Sequence, residues 1–316
     1  MIELLRAGPL TTVQDLGRPA WRDRGISRCG ALDDLALTQG NLLVGNPPDA
    51  AGLEFTLGPA TLRFDADCCI ALTGTDADAL LDGRPLRPGW RQPVRVGQTL
   101  KLAAPRERMR SYLTVSGGIA TAPVLGSRST DLKAGFGGLG GRALRDGDRL
   151  PLLSLDPFKP SDARPSRRIG LAPTDWDATV RALPGPEHDD FSAAARAAFW
   201  AADWQLTPQS NRMGYRFAGP ELKRQRGAEL ASHGVLPGVV QVPPSGQPIV
   251  LLADAQTTGG YPKIAVVIRA DLWKLAQLRL GATLRFLPCS VDEARDALRQ
   301  RQATMEQLRT ALCMST

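Results

Sequence analysis

The residue types best suited to chemistry cluster in residues 254–262, which read DAQTTGGYP. Apolar runs at 248–253 and 264–268 flank this stretch, and their short length and β-branched residues are typical of buried strands. A hairpin needs only about two to five linking residues, whereas this link also carries the carboxylate of Asp254 and the phenol of Tyr261. The residues alone fit a ligand-binding loop, and they equally fit a long polar turn whose Asp and Thr side chains satisfy its own backbone.

Backbone and hydroxyl groups in the same stretch add further hydrogen-bonding capacity. The Gly259-Gly260 pair lets backbone N–H groups approach a ligand without an intervening Cβ. Thr257 and Thr258 each add a hydroxyl that can donate or accept a hydrogen bond. The stretch therefore offers donors of two kinds in the space of a few residues.

Further polar loops carry basic or amide side chains. Residues 125–131 read LGSRSTD and can hold a carboxylate or phosphate; the alternative is an ordered Ω-type loop that satisfies its own backbone. Residues 209–216 read QSNRMGYR, where Asn211 offers donors and an acceptor and Arg212 a planar donor fork. The alternative for this second loop is a turn with an exposed ion pair. Gln241 begins a third loop, which prolines stiffen.

Composition excludes several classes of protein. Apolar residues make up 43% and charged residues 22% of the 316, which is ordinary for a soluble globular chain. The net charge is +7, with six lysines and 39 − 6 = 33 arginines, but the arginines are spread from Arg6 to Arg309 among acids, unlike the basic stripe of a nucleic-acid binder. Five cysteines and two histidines without metal-ligand spacing predict no metal site. Because we find no leader sequence and no membrane-length apolar run, we expect no membrane association and a cytoplasmic location.

The sequence predicts a mainly β protein with a few helices. Its 32 glycines and 25 prolines interrupt helices throughout. Similar turn-then-strand segments at 96–102, 146–152 and 280–286 are typical of small β-barrels. Helical patterns are predicted at about 33–44, at 190–202, at 271–278, and from a capping box at 290–293 to the chain end.

A proline-rich segment divides the chain. The predicted division is an N-terminal domain at 1–155, a linker at 156–168, a C-terminal domain at 169–288 and a terminal helix at 289–316. The terminal helix presents one apolar face, which either packs on its own subunit or docks another subunit.

Common catalytic and nucleotide-binding patterns do not fit this chain. Residues 135–140 read GFGGLG, but a dinucleotide site needs a strand before the glycines and a helix after them, and another turn and strand follow here. No P-loop pattern occurs. With only His188 and His233, neither a Ser–His–Asp nor a Cys–His set can be argued, and His233 stays an open candidate for a general base.

The polar loops belong to an ordered series of motifs that resembles one known family. The series runs through residues 8–18 (GPLTTVQDLGR), 30–33 (GALD), 41–47 (NLLVGNP), 53–54 (LE), 72–74 (LTG), 112–119 (YLTVSGGI), 126–132 (GSRSTDL), 209–214 (QSNRMG) and 256–262 (QTTGGYP). It resembles the family of 5-oxoprolinase C subunits, also described as allophanate hydrolase subunit 2 or the biotin-dependent carboxyltransferase family. Cys29, where the family typically has serine, and Pro59, in place of a glycine, depart from the pattern.

The resemblance implies a pair of cyclophilin-like β-barrel domains and a role in a multi-subunit enzyme. The chain is then expected to act with 5-oxoprolinase subunits B and A in opening 5-oxo-L-proline to L-glutamate, with ATP and Mg used by the complex. One alternative is the carboxyltransferase component of a biotin-dependent urea or amide carboxylase; no Met-Lys-Met carrier motif occurs, so biotin would lie on another chain. Another is a regulatory protein that antagonises an inhibitor of a sensor kinase.

Residue type and clustering suggest roles for these loops. Both enzymatic chemistries build negative charge on an amide-like oxygen, which preorganised donors stabilise. The predicted proton-transfer residues are Asp254 and Tyr261. The predicted substrate- or phosphate-binding residues are Ser127, Arg128, Ser129, Asn211, Arg212, Gln241, Thr257, Thr258, Gly259 and Gly260. The hypothesis is one pocket with walls at 254–262, 127–131 and 210–212, closed by a partner protein.

Overall fold

A computed structural model of the chain describes residues 1–153, 169–172, 174–225 and 230–313. The chain divides by its contacts into two compact units. Unit 1 comprises Met1–Arg18, Cys29–Asp175 and Thr304–Thr316; unit 2 comprises Pro19–Arg28 and Trp176–Ala303. No pattern in the sequence indicates that Pro19–Arg28 belongs with unit 2. The predicted linker at 156–168 lies outside the described residues, and the predicted domain boundaries stay predictions.

Unit 1 consists mainly of short strands in two antiparallel sheets. Its strands are β1 (Ile2–Arg6), β2 (Leu10–Gln14), β3 (Gly52–Thr56), β4 (Ala60–Phe64), β5 (Cys68–Thr73), β6 (Ala79–Leu81), β7 (Arg84–Leu86), β8 (Arg91–Val94), β9 (Thr99–Leu102), β10 (Arg110–Val115) and β11 (Arg149–Leu150), and helix α1 spans Asp34–Leu43. One sheet has the order β11-β1-β4-β9-β6-β7 and the other the order β2-β3-β10-β5-β8.

Both sheets of unit 1 contribute to a common apolar core. Leu4 and Leu62 come from the six-stranded sheet, and Val13, Leu53 and Leu113 from the five-stranded sheet. Leu53 lies in register with both Val13 and Leu113, so the three side chains share one face. Alternation along each strand sends the intervening residues to the opposite face.

The opposite face of the five-stranded sheet is polar and also buried. Glu54 of β3 lies in register between Thr12 of β2 and Tyr112 of β10. The Tyr112 hydroxyl donates to Glu54 Oε2 at 2.7 Å and accepts from the N–H of Asp33, the N-cap of α1, at 2.8 Å. Arg110 Nε lies 3.5 Å from Glu54 Oε1. Burial, and then the charge of Glu54, raise the pKa of the Tyr112 phenol well above its usual value, which keeps the phenol a donor.

Unit 2 contains a closed barrel. Its elements are β12 (Thr179–Pro184), α2 (Ala193–Ala201), β13 (Trp204–Leu206), β14 (Gly214–Ala218), β15 (His233–Gly234), β16 (Val239–Gln241), β17 (Ile249–Leu251), β18 (Thr258–Gly259), β19 (Lys263–Val267), α3 (Leu272–Gln277) and β20 (Thr283–Pro288). The barrel closes in the order β12-β19-β16-β17-β14-β13-β20, and β15 pairs only with β18 among the described residues. The prediction of a mainly β fold with a few helices is confirmed; the likeness to cyclophilin stays a prediction.

The predicted helical segments are all helices, and the first three are each slightly shorter than predicted. The last one, α4, spans Val291–Cys313. Its capping box is confirmed: the Ser290 N–H donates to Glu293 Oε2 at 2.7 Å, and the Glu293 N–H donates to Ser290 Oγ at 3.2 Å. Leu312 packs against the buried cluster of Leu43, Val44 and Ala71. Within the described ranges, no helix has both the length and the apolar character to cross a membrane.

We expect Tyr112→Phe to lower the free energy of unfolding by about 1–3 kcal/mol, because Glu54 Oε2 and the Asp33 N–H each lose a buried partner. Denaturant titration of the purified chain measures the change. Tyr261→Phe is the matched control. Tyr261 is 48% exposed, so removing its hydroxyl should change the free energy of unfolding by no more than about 0.5 kcal/mol. Wild-type stability in Tyr112→Phe would show that the polar face does not depend on this hydroxyl.

Candidate functional site

Residues 254–262 connect two strands of the unit 2 barrel that lie on either side of β16. The flanking apolar runs are strands, as predicted, namely β17 and β19. The stretch is more than a turn, because β18 within it pairs with β15 through Gly259 opposite His233 and Thr258 opposite Gly234. His233, the open candidate for a general base, is exposed, and its Nδ1 lies 3.1 Å from the Ala231 carbonyl oxygen.

A buried ion pair fixes the start of this stretch. Arg212 Nε lies 2.9 Å from Asp254 Oδ2, and Arg212 Nη2 lies 3.0 Å from Asp254 Oδ1. Both side chains are only 4% exposed, and the Asp254 N–H donates to the Arg212 carbonyl at 3.1 Å. The planar guanidinium fork therefore contacts both oxygens of the carboxylate. The structure thus brings together two predicted site residues and directs their charges at each other.

Several other predicted residues lie at the surface of unit 2. Asn211 is exposed, and its Oδ1 accepts the Met213 N–H at 2.9 Å, which closes a local turn. Thr258 is exposed, Thr257 is partly exposed, and Tyr261 is 48% exposed. These groups can reach a ligand or a partner without rearrangement of the barrel.

Close packing explains both glycines of this stretch. A Cβ at Gly259 would lie 2.7 Å from Gln241 Nε2, and a Cβ at Gly260 would lie 2.8 Å from the Leu230 carbonyl oxygen. Gln241 is 2% exposed, and its Nε2 lies 3.5 Å from the Tyr261 carbonyl oxygen. The predicted close approach at these glycines is therefore made by the chain itself.

Lys263 is a buried cation that sequence reasoning missed. Its side chain is 4% exposed, its Nζ donates to the Tyr261 carbonyl at 3.2 Å, and the same Nζ lies 3.6 Å from Glu187 Oε2. In the barrel it lies in register with Gln241. The available signal in the sequence was a single lysine at the start of the apolar strand KIAVV. Lysine is rarely buried unless it is paired, so a lysine in a buried strand indicates a partner elsewhere in the chain.

In unit 1, Asp15 organises the loop at 125–131. Its carboxylate accepts the Ser127 hydroxyl at 2.6 Å, the Ser129 hydroxyl at 2.5 Å, the Arg128 N–H at 2.6 Å and the Gly17 N–H at 2.7 Å. Ser127 and Ser129 are fully buried, and Arg128 is half-buried. Of the two interpretations of this loop, the geometry favours the ordered loop. Asp15 was not singled out in the sequence, because nothing local indicates that its partners lie more than 100 residues away.

Arg18 is a second buried group of unit 1 outside the prediction. It is 2% exposed, its Nε lies 3.4 Å from the Val124 carbonyl oxygen, its Nη2 donates to the Ser129 carbonyl, and its guanidinium lies 4.8 Å from the Phe136 ring centroid. Gly137, with φ +71°, closes over this group: a Cβ there would lie 2.2 Å from the Ser129 carbonyl oxygen. The glycines of 135–140 therefore serve turn geometry and close packing.

The predicted residues fall in both units. Unit 2 holds Asn211, Arg212, Gln241, Asp254 and the residues from Thr257 to Tyr261, whereas unit 1 holds Ser127, Arg128 and Ser129. The single pocket with three walls stays a prediction. Among the described residues, no group of three or more His, Cys, Asp or Glu side chains is arranged to hold a metal ion.

Comparison with known proteins gives consistent matches across the chain. A family model described as carboxyltransferase domain, subdomain A and B, matches residues 24–288. The chain is 53% identical to the 5-oxoprolinase C subunit of Escherichia coli, covering 98% of this chain and 97% of the relative, and 44% identical to that of Haemophilus influenzae, covering 98% of each. The crystal structure of Kluyveromyces lactis urea carboxylase is similar with a TM-score of 0.88 and 29% identity, over 97% of this chain and 29% of that one.

We expect Asp15→Asn to destabilise unit 1 by about 3 kcal/mol, because an amide cannot accept all the hydrogen bonds that the carboxylate accepts. Denaturant titration measures the loss, and limited proteolysis should show earlier cleavage within 125–131. Asp49→Asn, at an exposed aspartate, is the control. Unchanged stability and cleavage in Asp15→Asn would remove the organising role of this carboxylate.

Proposed function

The chain belongs to the family of carboxyltransferase domains with subdomains A and B, and from that membership we propose that it is the C subunit of an ATP-dependent 5-oxoprolinase. The observation that carries the proposal is the 53% identity to the Escherichia coli protein of that name over nearly the full length of both chains. Identity at this level supports a shared activity more strongly than a shared fold does, because one fold hosts many reactions.

In this proposal the chain works with 5-oxoprolinase subunits A and B to hydrolyse 5-oxo-L-proline to L-glutamate. The five-membered lactam is a stable amide, so its oxygen needs activation before water can attack the carbonyl carbon. ATP, bound with Mg within the complex, would supply that activation by transferring its γ-phosphoryl group to this oxygen with release of ADP, and phosphate would leave as water opens the lactam. Negative charge would build up around that oxygen in these steps. The contribution expected of this chain is a set of fixed donors and cations facing that oxygen.

We assign this contribution to Lys263 and Gln241. An ammonium carries three N–H donors and a primary amide carries two, so each group has donors beyond the one directed at the Tyr261 carbonyl. Both side chains are buried, where a charge acts with less screening than in water. Glu187, 3.6 Å from Lys263 Nζ, balances the cation without a close hydrogen bond.

The remaining predicted residues take different roles in the proposal. Asp254 and Arg212 hold the backbone through their ion pair, so the proposal reassigns the proton-transfer role predicted for Asp254 to the Lys263 ammonium, which can act as a proton donor. Tyr261 keeps its proposed part in proton transfer, since its phenol is exposed. Asn211 and Thr258, also exposed, contact substrate or a neighbouring protein of the complex.

A second candidate is the carboxyltransferase component of a biotin-dependent urea or amide carboxylase. The likeness to urea carboxylase, with a TM-score of 0.88 and 29% identity, supports it. Biotin would be carried on another chain, and the same donors would stabilise the oxygen of urea. The higher identity to the 5-oxoprolinase proteins makes this the second choice.

The test is to purify the chain with coexpressed subunits A and B and to measure ATP hydrolysis and glutamate formed on addition of 5-oxo-L-proline. Lys263→Met should lower kcat by about 100-fold or more, because one preorganised charged donor contributes at least that much. Lys223→Met is the matched control, since its side chain is 72% exposed and it should leave the rate unchanged.

Two outcomes would count against the proposal. If ATP hydrolysis by the wild-type complex does not rise on addition of 5-oxo-L-proline, the 5-oxoprolinase function is refuted. If the chain combined with a biotin carboxylase hydrolyses ATP only when urea is added, and avidin abolishes this activity, the second candidate is established. An active complex in which Lys263→Met retains the wild-type kcat would refute only the role of Lys263.

A further inference from the structure

Pro19–Arg28, here called the arm, is an ordered segment with an unusual place in the fold. In sequence it lies between β2 and α1 of unit 1, yet it belongs to unit 2 by its contacts. It opens with a 3-10 helix, Pro19–Arg24, and the Ile26 N–H donates to the Trp21 carbonyl at 3.2 Å. These internal hydrogen bonds show that the arm has a defined conformation of its own and is not an extended linker.

Two side chains of the arm donate to backbone carbonyls of unit 2. Ser27 Oγ lies 3.1 Å from the Ala255 carbonyl oxygen and 3.3 Å from that of Asp254. Arg22 Nη2 donates to the Val235 carbonyl. Burial lowers the pKa of the Arg22 guanidinium, which places this contact in a partly desolvated setting. Hydrogen bonds from charged donors are the stronger kind in such a setting.

The carbonyls that accept these hydrogen bonds belong to the stretch at 254–262 and to the segment 233–235, which pairs with it. The Val235 N–H donates to the Thr257 carbonyl at 2.9 Å, and Val235 and Ala255 share one buried apolar cluster. Asp254 carries the carboxylate that pairs with Arg212. The arm therefore binds the backbone of the residue whose side chain forms the buried ion pair, and also the backbone that lies beside it.

We propose that the arm is a strap that holds residues 254–258 and 233–235 in register, with Ser27 and Arg22 as positioning residues for the site built on them. The strap acts on backbone carbonyls, so it touches none of the groups assigned to the reaction. The proposed effect on backbone order does not depend on what the protein catalyses, and only the effect on catalysis rests on the proposed function.

Amide hydrogen exchange tests the strap without any assay of activity. The N–H groups of Val235, Asp254 and Ala255 are all bonded to backbone carbonyls, so they exchange only when this region opens. Ser27→Ala and Arg22→Met should each speed their exchange about fivefold, the factor for one hydrogen bond of ordinary strength. Amides of β12 and β20 in the same barrel should keep their wild-type rates.

Matched variants separate the strap from general damage. Ser27→Thr keeps the hydroxyl and should restore slow exchange, and Arg24→Met alters an exposed arginine of the same arm and should change nothing. Wild-type exchange at Val235, Asp254 and Ala255 in both Ser27→Ala and Arg22→Met would overturn the strap. An equal increase at every amide of unit 2 would overturn it as well, because it would mean loss of stability in the whole barrel.

Kinetics of the complex then test the link to catalysis. In a complex that hydrolyses 5-oxo-L-proline, kcat/KM of Ser27→Ala and Arg22→Met should fall by up to about 100-fold, because a loop released from the strap presents its donors about 1 Å out of place. A fall in Ser27→Ala that Ser27→Thr reverses supports the positioning role. Faster exchange with unchanged kcat/KM would confine the strap to backbone order. An inactive wild-type complex refutes the proposed function and leaves the exchange result standing.

Discussion

The buried ion pair between Arg212 and Asp254 is the interaction on which the rest of the unit 2 site depends. Both oxygens of the carboxylate receive the guanidinium, and each side chain is only 4% exposed. Removing one partner of such a pair leaves an uncompensated buried charge, which costs about 3–5 kcal/mol. The pair fixes where residues 254–262 begin, and therefore where Gln241 meets Gly259 and where Tyr261 offers its carbonyl to Lys263.

An internal carboxylate accounts for a candidate loop in each unit. In unit 2 the Asp254 carboxylate pairs with the Arg212 guanidinium, and in unit 1 the Asp15 carboxylate accepts hydrogen bonds from the hydroxyls of Ser127 and Ser129. Hydroxyl and arginine side chains are suited to holding an anion, and here the anion is a side chain of the same protein. The groups that the proposal assigns to chemistry or binding in unit 2 are the buried donors Lys263 and Gln241 and the exposed Tyr261, Thr258 and Asn211.

The sequence predicted local structure well and long-range pairing poorly, for physical reasons. Helix α4 and its Ser290–Glu293 cap follow from a pattern within a few residues, and so do the strands on either side of 254–262. The partners of Asp15 lie 112 to 114 residues away, and Asp254 pairs across 42 residues. No periodicity reveals such pairs. The burial of Lys263 escaped prediction for the same reason, since its carboxylate partner Glu187 is distant in sequence.

A double-mutant cycle on Arg212 and Asp254 tests most directly whether this pair is the foundation of the site. The free energy of unfolding is measured for Arg212→Met, Asp254→Leu and the double variant in the purified chain. We expect each single change to cost about 3–5 kcal/mol and the double change to cost little more than one of them, because replacing both charges leaves neither unpaired. Strictly additive losses would show that the two side chains act independently, and two independent side chains cannot together fix the start of residues 254–262.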